Sequence, residues 1–163
     1  MSKRLKAERN TSNTPNAVPP AKAMSSAVER GPRGKAILRG QKLALADLER
    51  AGGALTLQEV CRLLGNVSRS VVSRLGKQGC LFTIPGPGGR KFYPALQFSC
   101  TGEVEPWVGQ LLNVIPTKNP WMLLNYLVNP DDTLDDRIPI NLLQAGQVEL
   151  VLAAAKDLAR LGA

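Results

Sequence analysis

The hydrophobic positions between residues 56 and 64 predict a short helix. Its apolar residues recur at the i, i+3, i+4 and i+7 positions of one helical face, and they are Leu57, Val60, Cys61 and Leu64. Thr56 and Glu59 have the spacing of a capping box, in which the two side chains bond to free backbone amides of the first turn. Gly65 is expected to end this helix.

A second helix is predicted after the turn at residues 65–67, and its two sides differ in polarity. Ser68 is the expected N-cap, and Gly79 is expected to end the helix. The inner side consists of Val71, Val72 and Leu75. The open side carries basic and hydroxyl side chains, which are Arg69, Ser70, Ser73, Arg74 and Lys77. Arg can bond bidentately to guanine and Ser can reach bases or phosphates, so this side is predicted to bind a DNA major groove. An ordinary solvated helix face is the alternative.

The pattern then changes to two short β-favouring runs, residues 81–84 and 91–93. Residues 85–89 between them, Pro-Gly-Pro-Gly-Gly, form a turn by composition and lack the glycine spacing of a phosphate-binding loop. The sequence therefore predicts a β-hairpin directly after the helix pair, which is the order of elements in a winged helix-turn-helix. Arg90 and Lys91 lie where such a wing would contact phosphate.

Residues 105–161 return to a helical period. One helix is indicated by Trp107, Val108, Leu111, Leu112 and Ile115. Asn119 and Pro120 begin another, which ends at Asn129 and Pro130. A short helical turn at 139–143 and a final helix at about 147–161 follow the acidic loop at 131–136.

Residues 1–41 are predicted to be a disordered basic arm, because prolines, small polar residues and positive charges leave little apolar surface to bury. The arm is either a solubilising tail or a contact to DNA phosphates. The fold class is therefore mainly α with a small β-hairpin: a winged helix-turn-helix domain at 42–100, followed by a small helical domain at 101–163. Two units of this size can share one core.

The net charge of +8 is unevenly distributed. Residues 1–42 contain ten Lys/Arg and two Asp/Glu, residues 43–100 seven and three, and residues 101–163 four and eight. The corresponding net charges are +8, +4 and −4, which add to +8. A basic first part and an acidic last part favour two different partners, of which a polyanion would meet the first.

Composition argues against catalysis and against a bound metal. The chain has no histidine, and its three cysteines contain no CxxC pair. The acidic run of Asp131, Asp132, Asp135 and Asp136 lacks the spacing of a calcium loop and has no nucleophile beside it. We therefore predict no catalytic residue, no metal and no cofactor. Because no apolar run of about 20 residues is present, we also expect a cytoplasmic protein.

The C-terminal part resembles the Xre/MbcA/ParS toxin-binding domain of bacterial type II antitoxins. The resemblance rests on the Asn-Pro-Trp start at residues 119–121, on Leu-Asp-Asp-Arg-Ile-Pro-Ile-Asn-Leu-Leu at 134–143, on Gly146 and on Val-Leu-Ala-Ala-Ala at 151–155. Asp136 stands where this domain commonly has Gly, and Asn141 where it commonly has Asp. The upstream helix pair and hairpin resemble a winged-helix variant that accompanies the domain, so the resemblance covers about residues 55–161.

The resemblance implies an antitoxin that occludes the active site of a co-encoded RES-domain toxin and represses its own operon. The toxin-binding residues that it implies are Trp121, Arg137, Pro139, Leu142, Leu143, Gly146, Val151, Lys156 and Arg160. Such a protein is not an enzyme, and we expect a homodimer because helix-turn-helix proteins usually bind paired half-sites. The alternative is an excisionase-like DNA-binding regulator of a phage or mobile element, whose C-terminal domain serves self-association.

Overall fold

The computed structural model describes residues 32–115 and 119–161. These residues are mostly helical, with a small antiparallel sheet of three strands. In chain order the elements are α1 (Pro32–Arg50), β1 (Ala54–Thr56), α2 (Leu57–Leu63), α3 (Arg69–Lys77), β2 (Ile84–Pro85), β3 (Lys91–Pro94), α4 (Trp107–Val114), α5 (Pro120–Val128), α6 (Pro139–Gln144) and α7 (Val148–Leu161). No helix in these two ranges combines the length and the apolar character that crossing a membrane requires.

Helix α1 begins at Pro32, so the predicted boundary of the basic arm at residue 41 is wrong. Pro at the first helical position is favoured because its missing N–H has no partner there in any case. Residues 35–39 and 41–46 are rich in Ala, Leu, Lys and Arg, which have high helix propensity. The prediction for the remainder of the arm, residues 1–31, lies outside the described residues.

The helix pair α2–α3 confirms the predicted caps in position. The Thr56 hydroxyl accepts a hydrogen bond from the Glu59 amide at 3.3 Å, and the Glu59 carboxylate accepts one from the Thr56 amide at 2.7 Å. Both bonds of the capping box are therefore present. Ser68 occupies the N-cap of α3, but its hydroxyl bonds to the Ser70 hydroxyl at 2.8 Å instead of to the backbone.

The predicted hairpin is confirmed as β2 and β3, with Ile84 opposite Phe92. Its first strand is shorter than predicted, since Ile84 and Pro85 alone pair. The strand β1 was not predicted. It pairs with the other side of β3 and places Thr56, the cap of α2, opposite Phe92, so the sheet order is β1-β3-β2.

The C-terminal helices lie where the periodicity predicted them. Asn119 caps α5 by accepting a hydrogen bond from the Trp121 amide at 3.1 Å, and Pro120 is its first residue. Asp131 caps the short 3₁₀ turn Asp132–Leu134 within the acidic loop. The final helix α7 turns Val151, Leu152 and Ala155 inward.

One hydrophobic cluster extends across the predicted domain boundary at residue 100. It joins Leu48, Phe82 and Phe92 to buried residues of α4–α7 such as Leu124 and Val151. A smaller cluster of Val60, Val72, Leu81 and Tyr93 fills the space between α2, α3 and the sheet. The helix pair therefore has its own small core, but the sheet and α1 share theirs with the C-terminal helices.

Candidate nucleic-acid interface

A groove of about 920 Å³ separates α3 from the β2–β3 hairpin. The groove-facing residues of α3 are Arg69, Val72, Ser73, Gly76 and Lys77, and those of the hairpin include Arg90 and Lys91. The small cluster beneath it, with Val72, Leu81 and Tyr93, packs α3 against the sheet and fixes the spacing of the two walls.

The predicted DNA-binding residues of α3 fall into two sets. Arg69, Ser73 and Lys77, at i, i+4 and i+8, are exposed and line the groove. Ser70 and Arg74 are exposed but are not groove-lining. At about 100° per residue they lie roughly 60° and 100° around the helix from Ser73, on its outer side.

The hairpin is closed by a backbone hydrogen bond from the Gly86 amide to the Arg90 carbonyl, 2.8 Å long. A Cβ atom at Gly86 would lie 2.2 Å from the Phe92 ring, so only glycine allows the ring to cover the turn. Phe92 is buried, whereas Arg90 and Lys91 beside it are exposed. The packing of Phe92 therefore directs the two cations outward at the rim of the groove.

Gln97 fixes the base of the hairpin, a role that no sequence pattern predicted. Its side chain is fully buried. The amide oxygen accepts from the Phe82 amide at 3.0 Å, and the amide nitrogen donates to the Phe82 and Pro94 carbonyls at 3.0 and 3.1 Å. These bonds replace strand pairing at Phe82, which explains why β2 begins later than the composition of residues 81–84 predicted.

The groove is electropositive along both walls. Arg69, Lys77, Arg90 and Lys91 line it, and none of them belongs to an ion pair among the described residues. No Asp or Glu lines the groove within the same ranges. Burial, and then the neighbouring Cys61, raise the pKa of Tyr93 at the bottom of the groove, so this phenol stays neutral and adds no negative charge at physiological pH.

Comparison with known proteins identifies a fold but no family. No protein-family model and no curated protein matches this sequence. The chain shares its fold with Rv2175c. The NMR structure of Rv2175c superposes with a TM-score of 0.57 at 24% sequence identity, covering 65% of this chain and 80% of that one.

The residues that the antitoxin resemblance implied are not all accessible. Four of them are buried in this fold, namely Pro139, Leu142, Leu143 and Val151. Their side chains pack α6 and α7 into the main hydrophobic cluster or beside it, so they cannot contact a partner in this conformation. Trp121 is half-buried, and Arg137, Gly146, Lys156 and Arg160 are exposed.

Lys156 and Arg160 lie one turn apart on α7 and line a shallow groove of about 620 Å³ with Val114 of α4. Arg137 is elsewhere. It donates from Nε to the Leu134 carbonyl at 2.8 Å and lies 3.4 Å from the Asp135 carboxylate, so it closes the acidic loop. Of the exposed residues in this set, the structure therefore brings only Lys156 and Arg160 together in a groove among the described residues.

The acidic loop is organised by its own hydrogen bonds. The Asp131 carboxylate accepts from the Thr133 amide at 2.9 Å and from the Thr133 hydroxyl. Across residues 32–115 and 119–161, no three His, Cys, Asp or Glu side chains are grouped in a way that could hold a metal ion. These carboxylates shape the turn that leads into α6.

Proposed function

We propose that this protein binds double-stranded DNA as a winged helix-turn-helix, with α3 in the major groove and the β2–β3 hairpin on the phosphate backbone. The observation that carries the proposal is the set of four cations, Arg69, Lys77, Arg90 and Lys91, on the two walls of one groove without a carboxylate. Cations facing one groove are suited to the regular negative charge of a duplex.

The two walls of the groove would contact different parts of the DNA. Arg69 and Ser73 face the groove and can reach base edges, where Arg bonds bidentately to guanine. Arg90 and Lys91 at the hairpin are placed for phosphates, which position the protein without reading sequence. Ser70 and Arg74, on the outer side of α3, would contact the opposite strand of the same major groove.

We further propose that the protein is an antitoxin, which neutralises a co-encoded RES-type toxin by covering its active site and represses its own operon. The resemblance over residues 134–146 supports this proposal, and so does the net charge of −4 over residues 101–163. At Asp136, where the resembled domain commonly has Gly, φ is +58°, a conformation that glycine adopts without strain. The protein would act in the cytoplasm as a homodimer on paired half-sites.

The DNA experiment compares Arg69→Ala/Arg74→Ala with wild type by fluorescence anisotropy on the duplex upstream of its own gene. We expect a loss of about 1–3 kcal/mol for each contact to a base. Arg62→Ala is the matched control, because Arg62 is exposed at the end of α2 and does not line the groove. Unchanged affinity of the double variant would refute the role of α3.

The antitoxin experiment uses Lys156→Glu/Arg160→Glu, which inverts the charge of the α7 groove without removing a buried side chain. Coexpression with the neighbouring gene product should give a stable complex for wild type and a weakened one for the variant. Wild type and the Lys156→Glu/Arg160→Glu variant should bind DNA with equal affinity. Failure of wild type to bind any co-encoded protein would contradict the antitoxin proposal and leave the DNA proposal standing.

A further inference from the structure

Gly76 is a helical glycine that the protein's own packing does not require. It lies in the last turn of α3 and faces the groove between α3 and the hairpin. Its φ is not positive, and a Cβ atom built at this position would meet nothing within 4 Å. A side chain at this position is therefore compatible with the fold. It would also stabilise the helix, because glycine lowers helix stability relative to Ala.

At most other glycine positions of the described residues, the local structure explains why glycine is present. Those at the ends of α2 and α3, Gly65 and Gly79, have positive φ, and Gly86 is covered by the Phe92 ring. Gly76 also borders a smaller cavity beside Leu112 and Pro120. That cavity does not explain the glycine, because no atom of either residue would touch an added Cβ.

The position of Gly76 indicates that the space left by the missing side chain is available to a ligand in the groove. At about 100° per residue, Gly76 lies roughly 60° from Ser73 on the side towards the hairpin. A side chain at Gly76 would therefore project between Lys77 on one wall and Arg90 and Lys91 on the other. Glycine is the usual residue where a ligand comes close to a backbone.

We propose that one sugar–phosphate strand of a DNA duplex lies in this groove in direct contact with the α3 backbone at Gly76. The absent side chain sets how deeply the strand enters, and the depth decides whether Lys77 on one wall and Arg90 and Lys91 on the other reach phosphates together. This inference rests on the proposed DNA-binding function. It adds the point at which the strand contacts the protein, the α3 backbone at Gly76, which the charge distribution alone does not give.

The experiment compares Gly76→Ala and Gly76→Leu with Gly40→Ala, a matched change in α1 at a helical glycine that also has open space around it. Binding is measured on the same upstream duplex over a range of salt concentrations, and stability by thermal unfolding. Both Gly→Ala variants should have a Tm equal to wild type or up to about 4 °C higher. Gly40→Ala should bind DNA as wild type does.

For Gly76→Ala we expect a loss of affinity of about tenfold, and for Gly76→Leu of about a hundredfold or more, which is the cost of displacing a strand from the cations of the groove. The salt dependence should also fall, by about 0.9 in the log–log slope for each phosphate that the cations no longer reach, although the variants keep every charged residue. A purely structural role of Gly76 would not change that slope.

Two results would overturn the inference. One is wild-type affinity of Gly76→Leu for the duplex, and the other is a Tm of Gly76→Ala below wild type, which would show that the fold itself needs the glycine. Failure of the proposed function is distinguishable from both, because wild type and Gly40→Ala would then not bind the duplex either.

Discussion

Tyr126 links two helices of the main hydrophobic cluster through one polar atom. Its ring is buried on α5, and its hydroxyl donates to the Val151 carbonyl of α7 at 3.3 Å. Burial, and then the nearby Asp131 carboxylate, raise the pKa of Tyr126 to about 12, because both disfavour the phenolate. The free energy of unfolding should therefore depend on the protonation of Tyr126 at alkaline pH.

Tyr126→Phe should reveal that connection. Below about pH 10 the phenol is protonated in both states, and the variant should lose about 1 kcal/mol of unfolding free energy with the hydrogen bond. As pH rises from about 10 towards 12, the unfolded chain releases the Tyr126 proton and the folded chain keeps it, so wild type loses a stability contribution that the variant does not have. The difference between them should shrink between urea unfolding at pH 8 and at pH 11. A constant difference would contradict the elevated pKa.

Individual side chains at the surface were more predictable than those in the interior. The outward orientation of Ser70 and Arg74 follows from helical spacing, because residues opposite an apolar stripe face the solvent. The burial of Leu142 and Leu143 also follows from their character, but the resemblance had assigned them to a partner. Two of the three bonds of Gln97 join it to the backbone of Phe82, fifteen positions away, and no local pattern carries such a pairing.

At the scale of elements, α1 is attached to α5 by a buried carboxylate. Asp47 is 5% exposed and accepts hydrogen bonds from the side-chain amides of Asn125 at 2.8 Å and Asn129 at 2.9 Å. Arg50, on the same helix as Asp47, lies 3.2 Å from this carboxylate and pairs with its charge. The network lies beside Leu48 and thus joins the polar edge of α1 to the main cluster.

Asp47→Ala should weaken this attachment by about 2–3 kcal/mol, because several donors lose one charged acceptor. Hydrogen exchange should rise at the amides of residues 44–50 more than at those of α7, and urea unfolding should shift to lower concentration. Glu49→Ala is the control, since Glu49 is exposed on the same helix. Equal exchange of α1 in both variants would show that apolar contacts alone hold the helix.

Elements with a local start signal were predicted well, and those defined by pairing were not. The capping box of α2 and the Asn-Pro start of α5 are short-range signals, and both helices begin where these signals stand. The strand β1 contains three residues and exists because β3 offers it an edge. The start of α1 at Pro32 was missed because its charge and small residues resembled a disordered tail, whereas its helix propensity favoured order.

Across the whole molecule, charge and packing divide the chain differently. Charge changes sign near residue 100, which is where the sequence predicted a domain boundary. The hydrophobic packing does not divide at this residue, because Leu48, Phe82 and Phe92 share one cluster with α4–α7. Charge can be read by summing the sequence, whereas the shared core depends on how α1 and the sheet meet helices far along the chain.

This shared core predicts that residues 32–100 do not fold alone. Removing α4–α7 would expose the apolar side of the sheet and of α1, including Phe82, Ile84 and Leu96, to water. The fragment should show little helix by far-UV circular dichroism and no cooperative transition in urea. The full chain should unfold in one transition, with the fluorescence of Trp107 and Trp121 coinciding with the loss of total helix.

A folded, cooperative fragment, or separate transitions for the two probes in the full chain, would instead support two independent domains. The outcome also decides how partner binding must be tested. If the core is shared, deleting α7 removes Val151, Leu152 and Ala155 from the cluster that supports the sheet, and the groove between α3 and the hairpin unfolds with them. Loss of both proposed activities in such a deletion would then report on the core, so substitutions at the exposed Lys156 and Arg160 are the changes that separate the proposed partner binding from the proposed DNA binding.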